Sequence, residues 1–432
     1  MPPARERRAG QPRGKWIGAA IAAAIVWFGS PRPASAYSVL AHEANIDALW
    51  EPAIRPLLER RFPRATREEI RDARAYAYGG SVIQDLGYYP FGSKFFSNLL
   101  HYVRTGDFVE TIVRDARDVN EYAFALGALG HYASDNVGHP EAVNKSVALM
   151  FPKLRQKYGS NVTYVESPAS HVIVEFSFDI VQAAAGAYVP ESYHQFIGFK
   201  VATLLLARAF RETYDLDMKD VLKHEELAIS TYRHAVSELI PELTRVAWRD
   251  KREEIERLTP GVQQSAFVYG YSRQQFEREF GGDYRRPGFF ARFLAFVYRL
   301  LPKIGPLRPL SFKTPTPEAE RLFADSFKDT RARYGAALDQ VRRGQLNLAN
   351  TDFDTGKPRA FGEYALADET YAELLHRLGD TRFASLSKVL QRDITSFFGA
   401  ADLDKSASRR VRHRTKEIRR DLAALRAAAP AD

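Results

Sequence analysis

The chain of 432 residues contains no cysteine, so disulfides and thiolate metal sites are both closed to it. Any metal it holds must be bound through His, Asp and Glu, a donor set that suits Zn2+, Mn2+ or Fe2+. Apolar runs long enough to cross a bilayer are missing too: residues 16–29 fall short of the roughly 20 that a spanning helix needs. No stretch sustains the alternation of a half-buried strand, and no unit repeats. No His is followed directly by Asp, which argues against a phosphohydrolase built on an adjacent His-Asp pair. A basic nucleic-acid platform is absent as well. The formal charge is +9, but residues 1–36 hold six Lys/Arg against one acid, and residues 405–432 hold nine against three. The body between them is close to neutral, which leaves no broad positive face for a polyanion.

What is present begins with a leader. Arg5, Arg7, Arg8, Arg13 and Lys15 precede the apolar run, and the small-residue site Ala34-Ser35-Ala36 follows it. This is the pattern of a signal peptide over 1–36, whose removal would expose Tyr37 and send the protein to the periplasm or the medium. Apolar residues then recur at helical spacing over 41–100, 109–130, 171–188, 193–214 and 218–255, which predicts a helical domain over 37–258. After Thr259-Pro260-Gly261 the composition changes, and 259–404 reads as an appended, mostly helical region with helices over 318–343 and 369–398. The aromatic and basic stretch 289–301 reads as a core helix, with an interfacial helix that seats the protein on a bilayer as the alternative. The tail 405–432 reads as a solvated basic helix. The fold class expected is all-α, a multi-helix bundle with a helical C-terminal extension.

The chemistry concentrates before residue 176. His131 and Asp135 are four apart, as are His171 and Glu175, so each pair projects from one helix face and can converge on a metal. Such a pair on a surface stabilises a helix by only a few tenths of a kcal/mol. Here the neighbours are apolar, Ala125 to Leu129 before the first pair and Val172 to Val174 within the second. A buried carboxylate needs compensation, and a cation supplies it. His139 lies four residues beyond Asp135, and on an unbroken helix it would sit about 12 Å of rise from His131. That spacing predicts two metals, with His131 and Asp135 on one and His139, His171 and Glu175 on the other. Asp85 and His101 are the candidates to complete the first.

Taken in order, Tyr37, His42, Asp85, His101, His131-x3-Asp135, His139 and His171-x3-Glu175 resemble the zinc-dependent phospholipase C family, to which the S1/P1 nucleases are related. Nine positions fall in sequence over 37–175. The resemblance implies a helical bundle of that type and up to three zinc ions. By it, Asp85, His101, His131 and Asp135 would hold one zinc, and His139, His171 and Glu175 a second. A third would take the amine and carbonyl of a mature N-terminal Tyr37, with His42 and a bridging Asp135. Asp85 would also orient the nucleophile or accept its proton. Two positions depart from the family pattern: Tyr37 stands where the family has Trp, and the step from Asp135 to His139 is two residues shorter. The function implied is metal-assisted hydrolysis of a phospholipid phosphodiester, with peripheral membrane contact. A nuclease or other phosphodiesterase is the alternative, supported by the five-residue step from Tyr37 to His42, and a non-catalytic module stapled by its metals is the third reading.

Overall fold

The computed structural model describes residues 39–89, 91–184, 200–234, 253, 256, 313–399 and 402–429. The leader, Tyr37 and the aromatic stretch 289–301 lie outside these residues. Among the described residues the chain is helical almost throughout, as its periodicity predicts. Helix α1 spans Val39–Leu49 and passes through a π turn, Trp50–Ile54, into α2, Arg55–Arg61. Helix α3, Arg67–Val82, starts in a capping box: the Thr66 hydroxyl accepts from the Glu69 amide while the Glu69 carboxylate accepts from the Thr66 amide. A 3-10 turn, Ile83–Tyr88, follows it. Then come α4, Lys94–Tyr102, and α5, Thr105–Asp115. Helix α6, Val119–Gly138, is capped by Asp118, whose carboxylate accepts from the amides of Asn120 and Glu121.

Helices α3 and α6 form the centre of the bundle. Their backbones approach so closely that a Cβ on Gly127 would lie 2.0 Å from the Ala77 carbonyl oxygen, so only glycine fits there. The consequence is chemical, because the same approach sets the carboxyl end of α3 against the middle of α6, where His131 lies. A second π turn, His139–Val143, carrying Pro140, leads from α6 into α7, Asn144–Met150. After α8, Pro152–Tyr158, helix α9, Pro168–Ala184, closes the far side of the site. Helices α10, Thr203–Tyr214, α11, Met218–Val221, and α12, Glu225–His234, complete the first part of the described chain.

The C-terminal region shares this core. Helix α13, Pro317–Arg343, lies along α6, and the Tyr334 hydroxyl donates to the Leu126 carbonyl at 2.8 Å. It ends at Gly344, in the left-handed conformation usual for a helix stop. Residues 369–398, read from the sequence as one helical segment, form parts of two. Helix α14, Ala365–Asp380, and α15, Lys388–Phe398, are separated by a turn in which Arg382 and Phe383 have positive φ. The basic tail differs from expectation too. Its helices α16, Arg409–His413, and α17, Thr415–Ala427, bury Val411, Ile418, Leu422 and Leu425 in the same apolar cluster that begins at Val39. The Arg and Lys residues occupy the opposite, solvated face, so the charge count hid an amphipathic helix.

The periodicity also missed a two-stranded hairpin. Thr351–Asp352 pairs antiparallel with Lys357–Pro358. Its turn is closed by the Gly356 amide donating to the Asp352 carbonyl at 2.8 Å, with Gly356 at φ +67. Strands of two residues are too short to show alternation.

Candidate metal centre

Eight of the sequence-derived positions come together in the middle of the bundle. His42 sits on α1, Asp85 on the 3-10 turn, His101 on α4, His131 and Asp135 on α6, His139 on the π turn, and His171 and Glu175 on α9. All are buried, none more than 5% exposed. Tyr37 lies outside the described residues. Three groups of donor atoms lie within 4.8 Å of one another: His42, His131 and Asp135; Asp85, His101 and His131; and His139, His171 and Glu175.

Asp135 occupies the middle. Its Oδ1 is 3.5 Å from His42 Nε2, and its Oδ2 is 3.1 Å from His131 Nε2, 3.4 Å from His101 Nε2 and 4.0 Å from His139 Nε2. Asp135 and His139 are four apart, so they share a helix face just as His131 and Asp135 do. The π turn begins only at His139, whose backbone is still right-handed helical, so one Asp135 oxygen faces the imidazoles four residues before and after it.

The rings are oriented from behind. His101 Nδ1 donates to the Ser97 carbonyl at 2.7 Å, His131 Nδ1 to the Ser81 carbonyl at 2.9 Å, and His171 Nε2 to the Val162 carbonyl at 2.6 Å. A carbonyl only accepts, so each of these nitrogens carries the hydrogen. The opposite nitrogen of each ring faces a carboxylate: His101 Nε2 lies 3.3 Å from Asp85 Oδ1, and His171 Nδ1 lies 3.7 Å from Glu175 Oε1. With neutral rings this sets lone pair against lone pair in a dry interior. A cation between the atoms relieves it.

The donor set fits zinc on that ground and on spacing. Two ligands at 2.0–2.2 Å from one tetrahedral zinc are about 3.3–3.6 Å apart. The separations of 3.3, 3.4 and 3.5 Å around Asp85, Asp135, His101 and His42 match that edge length. His101, His131 and His171 also have the carbonyl partner behind the ring that metal-ligating histidines use to fix the tautomer.

The electrostatics agree. Burial pushes the Glu175 carboxyl well above its usual range, and Asp85 and Asp135 push it the same way. Burial lowers His42 to about 4, with His131 adding to the effect, and lowers His171 to about 4 against its bond to Val162. Burial also opposes charge on His101, but hydrogen bonds to Asp135 and Asp85 outweigh it and push that imidazole up to about 10. In the metal-free chain a proton on His101 is the cation the carboxylates demand. Zinc loading near pH 7 should therefore expel protons from the centre, that of His101 among them, and apparent affinity should rise with pH while His101 remains protonated. Calorimetric titration in buffers of different ionisation enthalpy measures that proton, and binding without its release would contradict the assignment.

One carboxylate at the centre was not found from the sequence. Asp354, in the hairpin turn, is 1% exposed and places Oδ1 3.3 Å from His139 Nε2. Its neighbour Phe353 is fully buried and packs on the His101 ring with centroids 5.3 Å apart. The local signal, Asp352-x-Asp354-x-Gly356, reads by itself as an ordinary turn.

Residues 47–223 match the family described as Zinc dependent phospholipase C. The matched segment contains Asp85, His101, His131, Asp135, His139, His171 and Glu175, and it ends before the hairpin. No curated protein and no solved structure matches the chain.

Proposed function

Since residues 47–223 carry the zinc-dependent phospholipase C match, we propose that the chain is a phosphodiester hydrolase that cleaves phospholipids to diacylglycerol and a phosphorylated head group. The observation that carries this reading is the convergence of buried imidazole and carboxylate atoms on Asp135, with His42 and His101 at ligand-edge spacing from it. Zinc held there would supply Lewis-acid polarisation of a phosphoryl oxygen and a water acidified toward neutral pH. His101, His131 and Asp135 with Asp85 would hold one ion, and His139, His171 and Glu175 another.

The chain's own residues do the remaining work. Asp85, whose Oδ1 stands 3.3 Å from His101 Nε2, would orient the attacking water or accept its proton. The carbonyls of Ser81, Ser97 and Val162 keep three rings in one tautomer, so no reorganisation is required during turnover. Burial of the donor set excludes bulk water, which strengthens every charge interaction within it.

A third ion would rest on His42, Asp135 and the amine and carbonyl of Tyr37 once the leader is removed. The backbone that follows Tyr37 is anchored: the amides of Leu40 and Ala41 donate to the Asp179 carboxylate at 3.0 and 3.1 Å. Helix α9 thus holds both the start of α1 and the Glu175 side of the centre.

The test is a panel of phospholipid vesicles assayed beside single-stranded DNA and RNA, using zinc-loaded protein beginning at Tyr37. Release of phosphorylated head group without nucleotide release is the expected result. Turnover of nucleic acid alone would move the function to the nuclease branch. No turnover at full zinc occupancy would make the metals structural staples.

A further inference from the structure

We propose that Asp354, contributed by the hairpin after α13, is a carboxylate ligand of the metal held by His139, His171 and Glu175, so that the C-terminal region completes the centre. The inference rests on the metal-centre reading above, and it concerns a residue outside the segment matched to the family.

Three features of Asp354 distinguish a ligand from a turn residue. The first is aim. Both nitrogens of His139 are buried without a hydrogen-bond partner, and Asp354 Oδ1 stands 3.3 Å from Nε2. That is the edge length between two ligands of one tetrahedral zinc, about 3.3–3.6 Å. The second is orientation. The other oxygen, Oδ2, accepts from the hydroxyl of Tyr102 at 3.0 Å and from that of Tyr364, which fixes the carboxylate plane and leaves Oδ1 for the centre. Ligating carboxylates are commonly held in this way by hydrogen bonds from behind. The third is cost. Asp354 joins Asp85, Asp135 and Glu175 in the interior, and among the described residues no Lys or Arg pairs with any of the four. Adding a carboxylate to such a cluster is unfavourable unless it meets a cation. Two divalent ions would balance the four charges.

The hairpin is built to deliver this residue. The Phe353 amide donates to the His101 carbonyl at 3.2 Å, and Asn144 Nδ2 donates to the Asp354 carbonyl at 2.8 Å. The Thr351 amide donates to the Thr105 hydroxyl at 3.0 Å, and that hydroxyl donates back to the Thr351 carbonyl at 2.9 Å. The turn is thus fastened to α4, α5 and α7. With Asp354, the His139 group has four protein ligands.

The experiment measures metal and does not depend on turnover. Zinc per chain would be determined for the full protein, for Asp354→Asn and for Tyr364→Phe, after equilibration with a chelator of known zinc affinity. The expected result is that D354N loses 10- to 100-fold in affinity for one zinc while its far-UV circular dichroism is unchanged. Y364F, which retains the carboxylate, should keep its zinc count. Equal zinc affinity in folded D354N and in the unsubstituted protein would overturn the proposal. If D354N does not fold, a zinc-edge anomalous map of the unsubstituted protein decides: a zinc peak about 2.0–2.2 Å from an Asp354 oxygen supports ligation, and its absence overturns it. A protein that binds no zinc in any form would instead refute the metal-centre reading itself.

Discussion

Asp135→Ala should lower phosphodiester hydrolysis by roughly a thousandfold or more, and zinc content should fall with the rate. No other side chain can take its place, because its two oxygens face His42, His131, His101 and His139 at 3.1–4.0 Å. Asp135 is fully buried, so water cannot substitute for the missing oxygens without opening the bundle. Several kcal/mol of transition-state stabilisation depend on the metals, and each 1.36 kcal/mol is a factor of ten in rate. Asp135→Asn offers the cleaner comparison, since it keeps the shape and removes the charge. Rate and zinc per chain should be measured on both variants, with circular dichroism to confirm that each is folded. A large loss of rate at undiminished zinc would make Asp135 a reacting group. An unchanged rate would detach this centre from the activity altogether.

Stripping the metals from the unsubstituted protein should lower its Tm by about 10 °C or more. A ligand present at a thousand times its Kd stabilises the native state by about 4 kcal/mol, and for a chain of this length each kcal/mol moves Tm by about 1 °C, so two or three such ions together account for a shift of about 10 °C. The loss would fall on the whole bundle, because the donors sit on α1, α4, α6 and α9 and on the turns after α3 and α6. Zinc should restore the lost stability and Mg2+ should not, since imidazole donors suit zinc whereas magnesium prefers oxygen ligands and retains its waters. Calorimetric scans before and after chelation, with metal removal verified by elemental analysis, provide the measurement. Identical scans would mean that the bundle tolerates its buried carboxylates without a cation.

The fold class was legible because helical periodicity is a local property. Ala-rich and apolar positions at three- and four-residue spacing lead to helices wherever they occur, and the glycine of α6 marks where another backbone approaches. The break within 369–398 was not legible, because nothing in that pattern forbids one continuous helix until the two halves find different places in the core. The buried stripe of the tail was masked by the density of its Arg and Lys residues. Whether Val411, Ile418, Leu422 and Leu425 meet a partner depends on α14, which the tail's own sequence does not describe.

The sequence by itself determined the donor chemistry. The absence of cysteine, two His/acid pairs at helical spacing and the order of His42, Asp85 and His101 ahead of them restrict any metal to imidazole and carboxylate ligands. It also determined that each pair shares a helix face, because a period of 3.6 residues fixes that locally. Only the tertiary structure decided which pairs meet. The close crossing of α3 and α6 lets the Ser81 carbonyl orient His131, the packing around α6 brings His42 and His101 to Asp135, and the hairpin carries Asp354 to His139 across more than two hundred residues of chain. The physical reason is that a carboxylate's surroundings are set by whatever the rest of the chain packs against it, and that packing is a property of the assembled core.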